Sequence, residues 1–416
     1  VGLDTDITGE SVKVLAKVFS PFKYDNDTRC DLHPRWRQDG MAVCFDSVIE
    51  GHRGLYIFKM YCKMDNKLKV VFLMTSCKKS GPVQQMLNII KNLDRNKFEP
   101  VLVTMYPEDK KLSQKKLYDA YVKHFYAPTS KIDVMLGRTK TLKNVLKEIQ
   151  PDVIHSLGVF PDFAVSRMKC FNQIITLRNY VYEDYPAKFG KLLGTIMATM
   201  HIYAMKHTKK TVACSESLSK MYAKKMGLKY DFVRNGVDVD QYCLSTPEEK
   251  TSIRKELGID EDSFLYVYTG QLIERKNMHF MLDAYVKVFP NDNVQLLVLG
   301  GGAQLEELKA KYGNISNITF KGNVMNVNHY LKAGDAYVSA SKSEGLPNGV
   351  LEAMATGLPV VLSDIEQHLE VYEANTNVGK IFKLTNMGDC SAKMKELVKS
   401  DYKQAGKEAY KSAHEN

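Results

Sequence analysis

Residues 333–361 read AGDAYVSASKSEGLPNGVLEAMATGLPVV. A short apolar run around Ala336–Val338 gives way to small polar residues and then to Glu344. Gly345, Pro347, Asn348 and Gly349 follow, a composition that permits a tight turn with exposed backbone groups. Val350–Ala355 has helical character, and Gly357 and Pro359 stop it before a second apolar run, LPVVLSD, at 358–364. Strand, polar turn, helix and strand in so short a span form the repeating unit of a parallel sheet with crossover helices.

The same plan extends in both directions. Downstream of residue 210 the segments TVACS, YDFVRNGVD, SFLYVYTG, VQLLVLGGG, NITFKGNV and LPVVLSD read as short strands with Gly- or Ser-rich exits. Helical stretches near Met278–Val288 and Gln304–Tyr312 separate some of them. Upstream, LKVVFLM at 68–74 is a continuous apolar strand, followed by TSCKKSGP and the helix-like VQQMLNIIKNL. Further strands are expected at Pro100–Met105, in PDVIHSLG and in NQIITLRN. Strands alternating with helices predict an α/β chain whose parallel sheets are covered on both faces. Two such units facing one another would hold a ligand where the carboxyl ends of their strands meet. The polar, turn-rich span 235–262 marks the change of unit.

The assignment is therefore an appendage at 1–66, an N-terminal Rossmann-like domain at 67–235 and a C-terminal one at 236–400. A helix or tail at 401–416 completes it. The appendage differs in texture. CDLHPRWRQDGMAVCFDSVIEGHRGLYIFKMY at 30–61 predicts a polar turn and strands at Met41–Phe45 and Gly54–Met60. Pro34, Trp36, Asp39 and Gly40 resemble the repeat of TolB-like β-propellers, though scarcely one blade of it.

Composition narrows the function classes. The 416 residues are 44% hydrophobic and 25% charged, which excludes a disordered or collagen-like chain. No run approaches 18 apolar residues, so no membrane-spanning helix is expected, and no basic stretch leads into an apolar one at the start, so no signal peptide is visible. The 58 basic and 48 acidic residues leave a formal charge of +10. Part of that excess is local, in Lys206, Lys209, Lys210, Lys220, Lys224, Lys225 and Lys229. Such a face suits an anionic partner, and KLLGTIMATMHIYAM just before it can form an amphipathic helix. No zinc finger, helix-turn-helix or aromatic RNA-binding strand accompanies the charge, so nucleic acid is not an expected partner. None of the eight cysteines lies three residues from another, which excludes CxxC redox and zinc pairs and suits reduced thiols in a cytosolic protein.

In this order, VRNGVD, TGQLIERKN, LGGG, FKGNV, the 333–361 stretch and SDIEQHLE resemble the large retaining glycosyltransferase family four. It contains bacterial nucleotide-sugar-dependent enzymes of polysaccharide synthesis. The resemblance covers roughly residues 68–400. It implies the GT-B architecture of two facing Rossmann-like domains and metal-independent, retaining sugar transfer from a nucleotide-diphosphate sugar, with no cofactor.

The resemblance assigns Glu344 to the donor sugar and Glu352 to the ribose hydroxyls. Ionised carboxylates suit both, because they accept strong hydrogen bonds from hydroxyl groups. Gly345, Leu346, Pro347 and Asn348 form the turn between them, where successive amides and a helix start can receive a diphosphate. Lys276 matches the family's phosphate-contacting lysine. Gln271 stands where the family commonly has Arg and cannot supply its charge, and Arg275 compensates only if its side chain turns inward. Ser80 and Gly81 place a helix N-terminus toward the diphosphate, with Pro82 suited to the first turn. His155 matches a site at which relatives carry His-x-His, with Leu157 in the second position. It is expected either to contact donor or acceptor or to end a strand. Arg178 and Asn179 form another polar exit, and Arg178 is a candidate contact for a phosphorylated acceptor. Asn235 is expected to shape the turn between domains. His368 and Glu370 would close the sugar side of the pocket. No residue set has metal-ligand spacing.

The resulting expectation is a cytoplasmic glycosyltransferase, peripheral on the inner face of the membrane, that moves a sugar to a hydroxyl on a glycan or lipid-linked acceptor during cell-envelope, capsular or exopolysaccharide synthesis. Two alternatives stand beside it: a nucleotide-sugar epimerase of the same two-domain plan and a noncatalytic nucleotide-sugar-binding protein.

Overall fold

The computed structural model describes residues 67–290 and 293–415, together with three strands nearer the amino end. The chain divides into two compact units, Val1–Lys67 and Leu68–Asn416. In the first, β1 (Arg35–Trp36), β2 (Ala42–Ser47) and β3 (Gly54–Lys59) form an antiparallel sheet in the order β1-β2-β3. The last two lie where the alternating sequence placed strands. Pro34, Asp39 and Gly40, which carry the propeller resemblance, lie outside the described residues.

The larger unit contains two parallel sheets. The first comprises β4 (Leu68–Met74), β5 (Phe98–Thr104), β6 (Lys123–Tyr126), β7 (Val153–Leu157), β8 (Gln173–Leu177), β9 (Lys210–Ala213) and β10 (Asp231–Phe232). Its spatial order is β10-β9-β8-β7-β4-β5-β6. The second comprises β11 (Phe264–Thr269), β12 (Val294–Leu299), β13 (Ile318–Gly322), β14 (Ala336–Ser339), β15 (Val360–Ser363) and β16 (Gly379–Phe382), ordered β13-β12-β11-β14-β15-β16. TVACS and YDFVRNGVD, which read in sequence as the restart of the α/β scheme, therefore belong to the first sheet as β9 and β10. They pair in parallel beyond β8. Local pattern marks a strand but cannot say which sheet accepts it.

Burial explains the near-continuous apolar composition of the central strands. Every residue of β11 is buried, as are Val71–Met74 of β4 and all of β14 and β15. A sheet covered by helices on both faces leaves no polar side for alternation. The expected helix at Met278–Val288 is present with those bounds. The carboxyl-terminal residues form two helices, Met387–Lys399 and Tyr402–Glu415.

Strand order reverses between β4 and β7 in the first sheet and between β11 and β14 in the second. At each reversal the crossover helices depart to opposite faces, leaving a crevice beyond the carboxyl ends of the strands. The turns that follow β4, β8, β11 and β14, four of the strand exits expected to carry site residues, line this crevice.

Because Leu68–Asn416 contains its own buried clusters, we expect a chain beginning at Met64 to fold without the preceding residues. Calorimetric unfolding should remain cooperative, with a midpoint close to that of the full chain. Insolubility of the shortened chain alone would show that residues 1–63 are integral to the fold.

Candidate active site

A cleft of about 1170 Å³ lies at these strand ends, lined from both halves of the α/β unit. From the first half come Lys79, Ser80, Gly81, Arg178 and Asn179, and from the second Gln271, Arg275, Lys276, Glu344 and Glu352.

Glu344 lies beyond the end of β14 and is 5% exposed. Its Oε1 receives Lys276 Nζ, and its Oε2 receives Arg275 Nη1 at 2.8 Å. Burial would raise the carboxyl, but Lys276 and Arg275 outweigh it and hold Glu344 well below the usual carboxylate range. Both cations come from a single 3₁₀ turn, Glu274–Lys276, just after β11. The backbone fixes that turn beside the β14 exit, since Lys342 N–H donates to the Arg275 carbonyl at 2.8 Å. Burial lowers the pKa of Lys276, with Glu344 opposing it. Arg275 does turn inward, as compensation for Gln271 would require. Its guanidinium, however, is engaged by Glu344, by the Ser343 carbonyl and by Asp184 of the first half at 3.6 Å. Gln271 is exposed at the cleft.

Glu352 sits on the helix Asn348–Ala355, eight positions after Glu344. Its surroundings push it up to about 7, with burial the largest cause and Lys79 and Tyr242 acting in the opposite direction. Lys79 was not singled out in sequence. It reaches across the cleft, and its ammonium donates to the Val324 and Met325 carbonyls at 2.9 and 2.7 Å. The adjacent pair Lys78-Lys79 before the Ser80 turn was the only available signal.

Ser80 caps the helix Gly81–Asn92, with its Oγ accepting from Val83 N–H at 3.4 Å. Gly81 lies so close to the second half that a Cβ there would approach Asn348 Nδ2 to 3.0 Å. Asn348 Oδ1 accepts from Asn235 Nδ2 at 2.9 Å, and Asn235 Oδ1 accepts from Arg178 Nη1 at 2.6 Å. A polar chain thus runs from the β8 exit through the inter-domain segment to the turn after β14.

Four expected residues take other places. His155 does not line the cleft. It is within β7, its Nε2 2.9 Å from Thr176 Oγ1 and its ring 5.7 Å from that of Phe72. Burial lowers its pKa to about 3, so it is neutral at pH 7, and it stands within the strand, one of the two places the sequence allowed. Pro347 serves as the N-cap of the Asn348–Ala355 helix and does not line the cleft. His368 is fully buried, with Nδ1 against Ser363, and likewise stays off the cleft. Glu370 bridges the halves: its carboxylate accepts from Glu216 N–H, Ser217 N–H and Arg234 Nε at 2.7–3.0 Å. Sequence spacing could not reveal these destinations, because they depend on which helix each turn faces across the molecule. Among the described residues, no group of three or more His, Cys, Asp or Glu is placed to hold a metal ion.

Two facing Rossmann-like sheets with a charged cleft at their strand ends define the GT-B architecture. A model described as Glycosyltransferase Family 4 matches residues 79–241, and one described as Glycosyl transferases group 1 matches residues 249–412. The chain is a GT-B glycosyltransferase of this family-four-like group. Neither match reaches residues 1–66, and nothing in the comparisons supports the propeller resemblance.

The chain is 26% identical over 316 residues to the O-antigen biosynthesis glycosyltransferase WclY of Escherichia coli, covering 74% of this chain and 83% of that protein. It is 29% identical over 232 residues to the putative teichuronic acid biosynthesis glycosyltransferase TuaC of Bacillus subtilis, covering 54% and 56%. Among solved structures, Anabaena HepE in complex with UDP and glucose matches with a TM-score of 0.69 at 16% identity, covering 83% of this chain and 94% of that one.

Gly345 supplies a direct test of the site's geometry. A Cβ built there would lie 1.7 Å from the Arg178 carbonyl oxygen, a backbone atom of the other half. Gly345→Ala must therefore part the two halves locally. We expect a stability loss of about 1–3 kcal/mol, typical of forced overpacking, measurable by denaturant titration. Unchanged stability and unchanged nucleotide binding would show that the halves do not meet at this point.

Proposed function

We propose that the protein transfers a sugar from a nucleotide-diphosphate donor to a hydroxyl of a glycan or lipid-linked acceptor in cell-envelope, capsular or exopolysaccharide synthesis. The observation that carries this reading is the convergence of Glu344, Glu352, Lys276 and the Ser80–Gly81 helix start on one cleft. The relatives acting in O-antigen and teichuronic acid synthesis support the biological setting.

In this reading Glu352 accepts hydrogen bonds from the ribose and Glu344 orients the donor sugar. Lys276 and the Gly81 N–H at the start of the Gly81–Asn92 helix take the diphosphate, since Pro82 has no N–H and Val83 N–H is held by Ser80 Oγ. Transfer breaks the bond between the anomeric carbon and the diphosphate oxygen and forms one to the acceptor oxygen on the same face. The departing diphosphate receives the acceptor's proton. The protein contributes orientation and neutralisation of the charge that grows on the leaving group. Closure of the cleft limits hydrolysis.

The discriminating experiment incubates the protein with a panel of nucleotide sugars and lipid-linked acceptors and records products by mass. Acceptor-dependent gain of one sugar with release of nucleoside diphosphate is expected. Inversion of the donor sugar without transfer would point to the epimerase, and binding alone to a noncatalytic protein.

Site roles have separate tests. Lys276→Ala should weaken binding of the intact donor about tenfold or more, equivalent to about 1.4 kcal/mol, and slow single-turnover transfer as well. Glu344→Gln should impair transfer while leaving nucleotide affinity nearly intact. Equal donor binding and transfer by both folded variants would remove these assignments.

Glu352 adds a pH dependence. With its pKa at about 7 in the free protein, the carboxyl is mostly protonated at pH 6 and mostly ionised at pH 8. If the ionised form receives the ribose, nucleotide affinity should rise across that interval, by up to about tenfold. Glu352→Gln should bind more weakly at pH 8 and show a flat profile. The same raised pKa contributes stability that is complete below about 4.5 and is lost as pH rises through about 7.

A peripheral position on the inner face of the membrane fits the surface. No helix among the described residues is long and apolar enough to cross a membrane. The helix Lys191–His207 buries Met197, Ala198, His201 and Ile202, yet leaves Leu192 79%, Leu193 51% and Ile196 45% exposed. Leu192, Leu193 and Ile196 follow helical spacing within this helix, and the lysine-rich span 206–229 continues from it. We expect sedimentation with anionic vesicles in preference to neutral ones, reduced by salt and by the pair Leu192→Glu and Leu193→Glu. Equal recovery with both vesicle types would remove the electrostatic part of this reading.

A further inference from the structure

Among the described residues six cationic side chains line the cleft, and five of them are already engaged. Lys79 donates to two backbone carbonyls. Lys91 pairs with Asp238 at 3.2 Å and Lys188 with Asp184 at 2.8 Å. Arg275 and Lys276 share Glu344. The sixth, Arg178, has no carboxylate of the described residues within ion-pair distance. Its Nη1 donates to the neutral Asn235 side chain at 2.6 Å, while Nε and Nη2 are shielded from solvent without a hydrogen-bond acceptor.

A guanidinium is always charged and presents its donors as a planar fork. Shielding two of its N–H groups without acceptors is unfavourable, and an incoming anion would relieve the cost. A carbonyl or hydroxyl could satisfy one N–H, whereas a phosphate offers a bidentate match and a countercharge together. The position fits such a ligand. Arg178 follows β8, and its backbone carbonyl faces Gly345, the residue after Glu344. Asn235, its neutral partner, is held in turn by Asn348 of the donor-side turn.

We infer that Arg178 is the phosphate-binding cation of the first half of the cleft, with Asn235 as a placeholder that the phosphate displaces. This rests on the nucleotide-sugar reading of the cleft and adds to it a second, separate cation on the opposite wall from Lys276. The phosphate has two sources, the diphosphate of the donor nucleotide or a phosphate carried by the acceptor, and the same chemistry serves both.

Calorimetric titration of the full chain with UDP, GDP and ADP establishes whether the parent binds a nucleoside diphosphate. Inorganic phosphate titrated into the nucleotide-loaded protein then reports the acceptor side. If the donor is the source, Arg178→Gln should weaken nucleoside diphosphate binding about tenfold. If the acceptor is the source, nucleotide affinity should persist and the phosphate titration should lose about tenfold. In either case Arg178→Lys should recover part of the loss. The salt dependence of the affected titration should flatten in Arg178→Gln, a change that loss of packing alone would not produce. Asn235→Ala should bind phosphate at least as well as the parent, because it removes only the placeholder. Matching melting temperatures establish that the variants are folded, and a misfolded Arg178→Gln leaves Arg178→Lys and Asn235→Ala to decide. Parental affinity in both titrations for folded Arg178→Gln, or loss of phosphate binding in Asn235→Ala, would overturn the proposal. A parent that binds none of the three nucleotides would instead refute the nucleotide-sugar reading and this inference with it.

Discussion

The buried carboxylate of Glu344 between Lys276 and Arg275 constrains the rest of the site. A carboxylate withdrawn from water is tolerable only with close, well-oriented partners, and removing one leaves an uncompensated charge. Both partners lie on the turn Glu274–Lys276, so the exits of β11 and β14 must stay side by side. Those strands pair directly at the point where strand order reverses. The charge cluster therefore pins the two loops at the place where the fold leaves room for a ligand. Its second consequence is electrical: Lys276 and Arg275 largely neutralise Glu344 before any substrate arrives. In the proposed roles a diphosphate would have to compete for cations already paired, which favours a ligand that brings its own negative charge and its own hydroxyls for the carboxylate.

The turn that follows Glu344 connects this cluster to the other half of the molecule. Gly345 admits the Arg178 carbonyl, and its own carbonyl accepts from Ser215 Oγ at 2.7 Å. Leu346 joins Cys214 and Val350 in a buried cluster that also contains Ile175 and Leu177 of the first sheet and Leu265 and Val267 of the second. One short segment thus presents Glu344 to the cleft, packs apolar surface against the first half and starts the helix that carries Glu352. Its dense Gly and Pro content reflects these simultaneous demands on backbone approach and turn geometry.

Features with a local cause were legible in the sequence. Continuous apolar runs located β4, β11 and β12 because burial on both faces needs no alternation. Ser80, Gly81 and Pro82 announced a helix start, and Glu344, Glu352 and Lys276 could be picked out through the family pattern around them. Features set by distant partners were not legible. His155 ends a run that looks like a polar exit, yet Thr176 on the neighbouring strand holds it within the sheet. Whether Arg275 turns inward depends on partners distant in the chain, Asp184 and Glu344, which its place beside Lys276 does not reveal. Lys79 gained a role because the loop after β13 happens to present two carbonyls across the cleft. TVACS and YDFVRNGVD had the right local pattern, but sheet membership is a tertiary decision.

The contacts that join the halves around the cleft share a chemical character. Lys79 reaches the carbonyls after β13, Gln85 Nε2 donates to the Gly236 carbonyl at 2.7 Å, Asn235 meets Asn348, and Glu370 receives the first amides of the Glu216–Met226 helix. Each exchanges a hydrogen bond to water for one within the protein, a net gain of about 1 kcal/mol between neutral groups and about 1.5–3 kcal/mol where one group is charged, as for Lys79 and Glu370. The contacts between neutral groups can be broken one by one and replaced by water or ligand at little cost, whereas the Glu370 carboxylate keeps its partners. The apolar cluster through Leu346 and Cys214 cannot be parted so cheaply, since separation exposes hydrocarbon. A molecule joined by a continuous apolar cluster and, around the cleft, by exchangeable polar contacts is suited to open there while its halves remain attached. Substrate entry and product release then require only that polar groups change partners, which is the property a transferase needs if it is to exclude water during reaction and still turn over.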